Sequence, residues 1–503
     1  MAALTSAMVT AGVYRYERDR RSHEFFSPGP MRYAQSLSHP RDLQVRAHLC
    51  GLHLHFSGER TATAASAVFN LVKTIIGGGI LSLPFAFDKC GLVLAVVFMV
   101  VSAVASTFTL YVIVSCSRRG GAASYEEVVR KALGPRAGLV TVVLLVALTF
   151  LTLVAYVIFM KDLIGALGAR YLFNRAITVG EQDALTIICV AVIAPFLFVK
   201  SMDALRFTSI FSLLAVVVLA LAITIRSVES LHSESEPSDV VVASPEVKIF
   251  PTSWKDPVYA FPIISVSYLC HFNVLPVYSE LHKPTRKRLK KIVATTMFST
   301  WVFYMVVGIM GYLFAYRLAG GVQGDILNNF SDADKLINLG RLGLLVTIML
   351  SLPIICQPCR SNLTRLLKYI YDDCRSAVQA KHASEREPLL PNHNGMSPDH
   401  ESAHPRLRAA METLGYYGLT IAIIAGATTC ALVSPGVVVV WNLMGSTVGI
   451  LISYVLPCAS YVRIRRQKPH SDKRKLTAWV ILAISTVLCV TCSVQSIMSI
   501  FEH

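Results

Sequence analysis

Charge is what this sequence has least of. Only 16% of its 503 residues are Asp, Glu, Lys or Arg, while 54% are hydrophobic. A soluble globular chain has about a quarter of its residues charged. The mean hydropathy of +0.55 comes from long apolar runs parted by short, charge-dense connectors, the pattern of a polytopic all-α membrane protein. Also missing are ~10-residue segments of alternating polarity, which excludes a transmembrane β-barrel. The apolar runs hold no carboxylate pair, histidine cluster or nucleophile motif, so an enzyme is not expected. Two CxxC spacings, Cys356–Cys359 and Cys489–Cys492, have no second Cys or His pair. They read as packing thiols, with no metal or other cofactor expected. No apolar stretch with a small-residue cleavage site opens the chain. Residues 1–62 are polar, basic and without period, and read as a disordered cytosolic tail.

What the sequence does contain is eleven runs of spanning length. They fall at about 64–87, 91–115, 138–160, 184–200, 205–226, 257–279, 292–315, 338–358, 413–433, 436–461 and 476–500. The ninth and tenth are parted only by Ser434 and Pro435, but together they are too long for one crossing. The net charge of +16 sits mostly in alternate connectors. These carry Arg118, Arg119, Arg130, Lys131 and Arg136; Lys283 to Lys291; and Arg463 to Lys475. The 227–256 connector is acidic instead. This sidedness places the N-terminus in the cytosol and the C-terminus in the lumen or outside the cell. It accounts for the basic excess through membrane topology, without a nucleic-acid partner. SYEEVVRKAL (124–133) has capping-box spacing and predicts a short interfacial helix. Residues 375–408 are polar and read as a disordered cytosolic loop. They include EREPLL, in which Glu385 precedes Leu389 and Leu390 as in a dileucine signal read by sorting adaptors. So short a pattern also arises by chance.

FNLVKTIIGGGILSLPFAF (69–87) conflicts with a continuous span. Each glycine costs about 1 kcal/mol in a helix relative to alanine. Packing glycines are spaced by four, whereas Gly77, Gly78 and Gly79 are consecutive and share no face. A helix break is therefore expected. A broken helix offers free N–H groups on one half, suited to a carboxylate, and free carbonyls on the other, suited to an ammonium. Lys73 lies just before the break. It is too deep to snorkel easily, and an ammonium among freed carbonyls can replace a bound cation or exchange a proton. In the sixth run, Pro262 and Pro276 flank His271 and Asn273, which predicts a second break. His271 is either a satisfied interior histidine or a gating residue. Pro353 and Pro358 mark a third candidate break in the eighth run. There Ser351 either faces the first helix or bonds its own backbone.

The first-run motif closely resembles that of the amino acid/auxin permease family. CHFNVLPVYSEL (270–281), ALRFTS (204–209), SLPIICQPCRSN (351–362) and WNLMGSTVGILISYVLPCASYVR (441–463) resemble its sixth-, fifth-, eighth- and tenth-helix motifs. The resemblance covers residues 64–500. It implies a LeuT-like fold with two inverted five-helix repeats, here 63–227 and 255–463, and an eleventh helix at 476–500, together a transporter domain over 63–502. It also implies amino-acid transport by alternating access. The substrate would be held by first-helix backbone over Thr74, Ile76 and Gly77 to Gly79, and by the unwound stretch Ser267, Tyr268 and His271. The sodium-coupled branch generally carries Asn where this chain has Lys73, and the proton-coupled branch resembles this chain there. Ser351, with carbonyls near Asn70, would otherwise permit sodium. The expectation is a proton-coupled or facilitative carrier of neutral amino acids in a vacuolar or lysosomal membrane, its energy drawn from an ion gradient. The plasma membrane, sodium coupling and an amino-acid sensor remain open at this point.

Overall fold

The computed structural model describes residues 62–198, 208–232, 246–385 and 405–501, apart from positions 283, 319, 468, 470 and 471. The tail to residue 61, residues 204–207 of ALRFTS, and Leu389 and Leu390 lie outside the described residues. The first run forms α1 (Ala64–Ile75), a 3-10 turn (Gly78–Ser82) and α2 (Leu83–Cys90). Then come α3 (Leu92–Gly120), α4 (Tyr125–Leu133), α5 (Pro135–Leu167), α6 (Val179–Leu197) and α7 (Thr208–His232). The second part holds α8 (Lys255–Val266), α9 (Val274–Glu280), α10 (Arg286–Ala315) and α11 (Lys335–Glu385). It ends with α12 (Pro405–Val433), α13 (Val437–Leu443), α14 (Leu456–Ile464) and α15 (Lys473–Phe501).

Helix starts follow local chemistry. The Thr63 hydroxyl accepts from the Ser66 N–H at 3.1 Å to cap α1. Ser124 accepts from the Glu127 N–H at 3.2 Å, while the Glu127 carboxylate accepts from the Ala123 N–H at 2.8 Å. The predicted α4 is therefore present, with the returning bond one residue earlier than in a standard capping box. Thr178 and Glu181 form a full capping box on α6. That signal was available in the sequence, and it starts the fourth span several residues before its apolar run.

Among the described residues, nine helices are long and apolar enough to cross a membrane, and the α1–α2 pair, bent by 52°, makes ten. α8 and α9 are each too short to cross, and the seven residues between them, 267–273, are too long a gap for the two to count as one bent span, so the predicted count of eleven is not reproduced. Apolar side chains such as Val104, Val192 and Val487 face outward, while Ser106, Thr109 and Ser446 are buried. Lipid does not drive apolar residues inward, so close packing and polar bonds hold the bundle instead. α11 packs on α5 and α7, and α10 on α1, α2, α3 and α7.

Two expectations change. α11 passes through Pro353 and Pro358 without breaking, because neighbouring helices and hydroxyls compensate for lost backbone bonds within a bundle. α11 also extends to Glu385, and α12 begins at Pro405. The connector read as 375–408 narrows accordingly. Its first residues, RSAVQAKHASE, are largely good helix formers, which polar composition alone does not reveal.

Candidate functional site

The first break is built from backbone. α1 ends at Ile75, the Ile76 N–H donates to the Val72 carbonyl at 2.8 Å, and Gly77 is fully extended. The reason for glycine differs along the triplet. A Cβ on Gly78 would lie 2.6 Å from the Phe159 ring, and one on Gly77 would lie 3.2 Å from the Tyr156 hydroxyl. A Cβ on Gly79 would make ordinary contacts, 3.6 Å from the Ser267 hydroxyl and 4.0 Å from Trp441. Gly77 and Gly78 thus let α5 approach the chain, while Gly79 faces the second break. The Tyr156 hydroxyl lies beside the Gly77–Gly78 backbone.

The second break spans residues 267–273, between α8 and α9. Two side chains, Tyr304 and Asn273, join the breaks. The Tyr304 hydroxyl, on α10, is 2.6 Å from the Ile75 carbonyl and 3.1 Å from the Ser267 carbonyl. The Asn273 amide donates to the Thr74 hydroxyl at 2.7 Å, and Thr74 donates to the Asn70 carbonyl at 2.8 Å. Carbonyls freed by both helix ends therefore converge on one tyrosine. Trp441, from α13, closes the Gly79 side, and its indole N–H is buried without a hydrogen-bond partner. A helix terminus with free backbone groups, a buried unspent donor and an aromatic wall together suit a small zwitterion.

The predicted site residues divide into three groups. Asn70, Thr74, Ile76, Gly77 to Gly79 and Ser267 meet at the paired breaks. Lys73 occupies the last turn of α1, where a cation is favoured by the helix dipole. The remainder point elsewhere. Tyr268 is buried, with its ring 5.6 Å from that of Tyr304 and its hydroxyl toward Met99 on α3. His271 is buried, with Nε2 2.8 Å from the Thr109 hydroxyl. Thr109 can also donate to its own helix carbonyls, and His271 Nδ1 has no hydrogen-bond partner. The Ser351 hydroxyl donates to the Thr347 carbonyl at 2.7 Å, within its own helix. Tyr156, Phe159, Tyr304, Trp441 and Asn273 were not assigned to the site from sequence. Only Asn273 carried a signal, as a polar residue inside an apolar run.

Glycine serves close approach once more in the tenth run, where π-helical turns at Met444–Gly449 and Leu451–Val455 interrupt the helix. A Cβ on Gly445 would overlap the Pro262 carbonyl oxygen, so α8 and the tenth run are in near-backbone contact beside the second break.

Comparison with known proteins gives a consistent picture. The family described as "Transmembrane amino acid transporter protein" matches residues 60–499. A Danio rerio protein named "Sodium-coupled neutral amino acid symporter 2" is 22% identical over 466 residues, 88% of this chain and 83% of that one. In fold, the chain is similar to Mhp1, a nucleobase-cation-symport-1 family transporter solved in a closed conformation with bromovinylhydantoin bound. The TM-score is 0.52 at 12% identity, covering 88% of this chain and 91% of that one. At this identity the likeness concerns the fold alone.

Proposed function

The chain belongs to the family of transmembrane amino acid transporter proteins, and on that premise we propose that it carries neutral amino acids across a membrane by alternating access. The observation that carries this reading is the junction of the two helix breaks at Tyr304. Gly77 to Gly79 offer backbone N–H groups to a carboxylate, and the carbonyls of Ile75 and Ser267 suit an ammonium. Trp441, Tyr156 and Phe159 bound the side-chain pocket, and among the described residues named at the site none is acidic, which favours neutral substrates. The reading includes eleven crossings, with the α8–α9 pair as the sixth, in two inverted repeats followed by α15.

For ion coupling, Lys73 is proposed to stand where other carriers hold sodium, so that transport is proton-coupled or facilitative. A fixed ammonium there repels a second cation. The second reading is sodium symport through Ser351 and the Asn70 carbonyl, favoured by the name of the zebrafish relative. We assign the protein to an acidic organelle, with its N-terminus cytosolic and EREPLL as an adaptor signal. The test is uptake of alanine and other neutral amino acids into proteoliposomes, with pH and sodium gradients imposed separately. Proton-stimulated or gradient-independent uptake is expected for the wild type, and altered ion dependence for Lys73→Asn. Sodium-driven wild-type uptake would overturn the ion assignment. Absence of uptake or exchange under every gradient would overturn the transport reading.

A further inference from the structure

Where α3 ends and α10 begins, Tyr111, Ser115, Arg118, Arg119, Arg286 and Leu289 line a cavity of about 120 Å3. More positive charge surrounds it. Arg465, after α14, acts on Arg119 as a like charge, as does Arg286. Lys290 and Arg474 lie over the Tyr111 ring, 5.3 and 5.7 Å from its centroid. Among the described residues, none of these six cations belongs to an ion pair. The Asp472 carboxylate accepts the Arg474 backbone N–H at 3.1 Å, capping the start of α15. Arg465 Nε is buried without a hydrogen-bond partner.

We propose that this pocket binds a phosphate group, presented either by an anionic phospholipid headgroup or by a soluble phosphomonoester. Guanidinium forks match phosphate oxygens two at a time, and they lose less than lysine does on partial burial. The Tyr111 and Ser115 hydroxyls add donors. The Thr285-capped start of α10 adds the positive end of a helix. Membrane sidedness alone accounts for basic residues at helix ends. It does not account for three arginines around one cavity. A basic pocket between spanning helices on the positive side is where anionic headgroups bind.

The pocket also connects to the moving parts of the proposed carrier. α10 follows directly from α9, and the link between them is bonded to the start of α1. The Ala62 N–H donates to the Glu280 carbonyl at 3.2 Å, and the His282 N–H donates to the Ala62 carbonyl at 3.0 Å. An anion joining the end of α3 to Arg286 therefore restrains the strap between the two half-helices. Its binding stabilises the protein without any contact to the substrate.

The test uses the full chain in phosphatidylcholine nanodiscs with and without phosphatidic acid, and in detergent titrated with inorganic phosphate. Readouts are the thermal unfolding midpoint and lipid retention in native mass spectrometry. The triple variant Arg118→Gln/Arg119→Gln/Arg286→Gln is compared with a charge-matched control, Arg136→Gln/Lys368→Gln/Arg375→Gln. Phosphatidic acid should raise the wild-type and control midpoints but not that of the triple variant. Its retention by the triple variant should fall about tenfold or more, the equivalent of one charge-assisted hydrogen bond. An equal effect of inorganic phosphate identifies a soluble ligand; an effect of lipid only identifies a headgroup. Should the triple variant not fold, Arg119→Lys keeps the charge and removes the fork, and a severalfold loss is expected. Equal losses in the triple variant and control, or no effect of either phosphate source on the wild type, would overturn the proposal. None of these readouts requires transport, so they stand apart from the uptake experiment.

Discussion

The Tyr304 hydroxyl is 2.6 Å from the carbonyl of Ile75, the last residue of the first half-helix. It is also 3.1 Å from the Ser267 carbonyl, so one buried side chain serves the ends of two interrupted helices. Tyr304→Phe leaves both acceptors buried without that donor, at a cost of about 1–3 kcal/mol. The unfolding midpoint should fall, and amino-acid affinity should change by about tenfold or more. Differential scanning fluorimetry and substrate titration measure the two effects separately. A variant indistinguishable from wild type in both would show that the junction is incidental.

Adjacent glycines should respond differently to a methyl group. At Gly78 the new Cβ would lie 2.6 Å from Phe159, so Gly78→Ala should sharply reduce folded yield on size-exclusion chromatography. Adding Phe159→Leu should restore part of that yield by relieving the overpacking. At Gly79 the nearest contact is 3.6 Å, so Gly79→Ala should fold and show its effect as weaker uptake. Equal behaviour of the two single variants would contradict the assignment of Gly78 to packing and Gly79 to the pocket.

The Asn273–Thr74 bond of 2.7 Å ties α1 to the far side of the second break. A double-mutant cycle with Asn273→Leu and Thr74→Val should give a coupling of about 0.5–1.5 kcal/mol in unfolding free energy. Additive effects within about 0.3 kcal/mol would mean that the bond contributes nothing.

Asp325, in the loop before α11, should make stability depend on pH. Its side chain is 3% exposed, and Oδ2 has no hydrogen-bond partner. Burial, and next the like charge of Asp162 on α5, push its carboxyl up to about 8, against weaker opposing effects of the Leu327 N–H and Arg341. Arg341, on α11, spends its own bonds on the Leu327 and Phe330 carbonyls, Asn338 and Asp332. The folded protein therefore keeps a proton that the unfolded chain loses near pH 4. The stabilisation is complete below about pH 4 and is lost as pH rises toward about 8. Unfolding midpoints should fall across that window for wild type, and Asp325→Asn should flatten the slope and be the more stable protein at pH 8. An unchanged slope in the variant would exclude Asp325 as its source.

Much of this was present in the order of residues. Run lengths and basic sidedness indicate a helical membrane bundle, because water-free lipid demands long apolar helices whatever their neighbours are. Three consecutive glycines predict where the first helix stops, since the backbone cost is local. Proline was a less reliable guide. Pro262 and Pro276 flank a break, whereas α11 runs through Pro353 and Pro358, because the surroundings decide whether lost backbone bonds are compensated. The walls of the site lay further out of reach. Tyr156, Phe159, Tyr304 and Trp441 look like ordinary apolar-run aromatics, and only packing brings them to the breaks. His271 was conspicuous in sequence, yet the fold turns it toward Thr109. Periodicity and composition act along the chain, so the sequence by itself determined the bundle of long apolar helices and the place of the first break. Which freed carbonyl meets which hydroxyl depends on contacts between helices far apart in the chain, and the tertiary structure decided that.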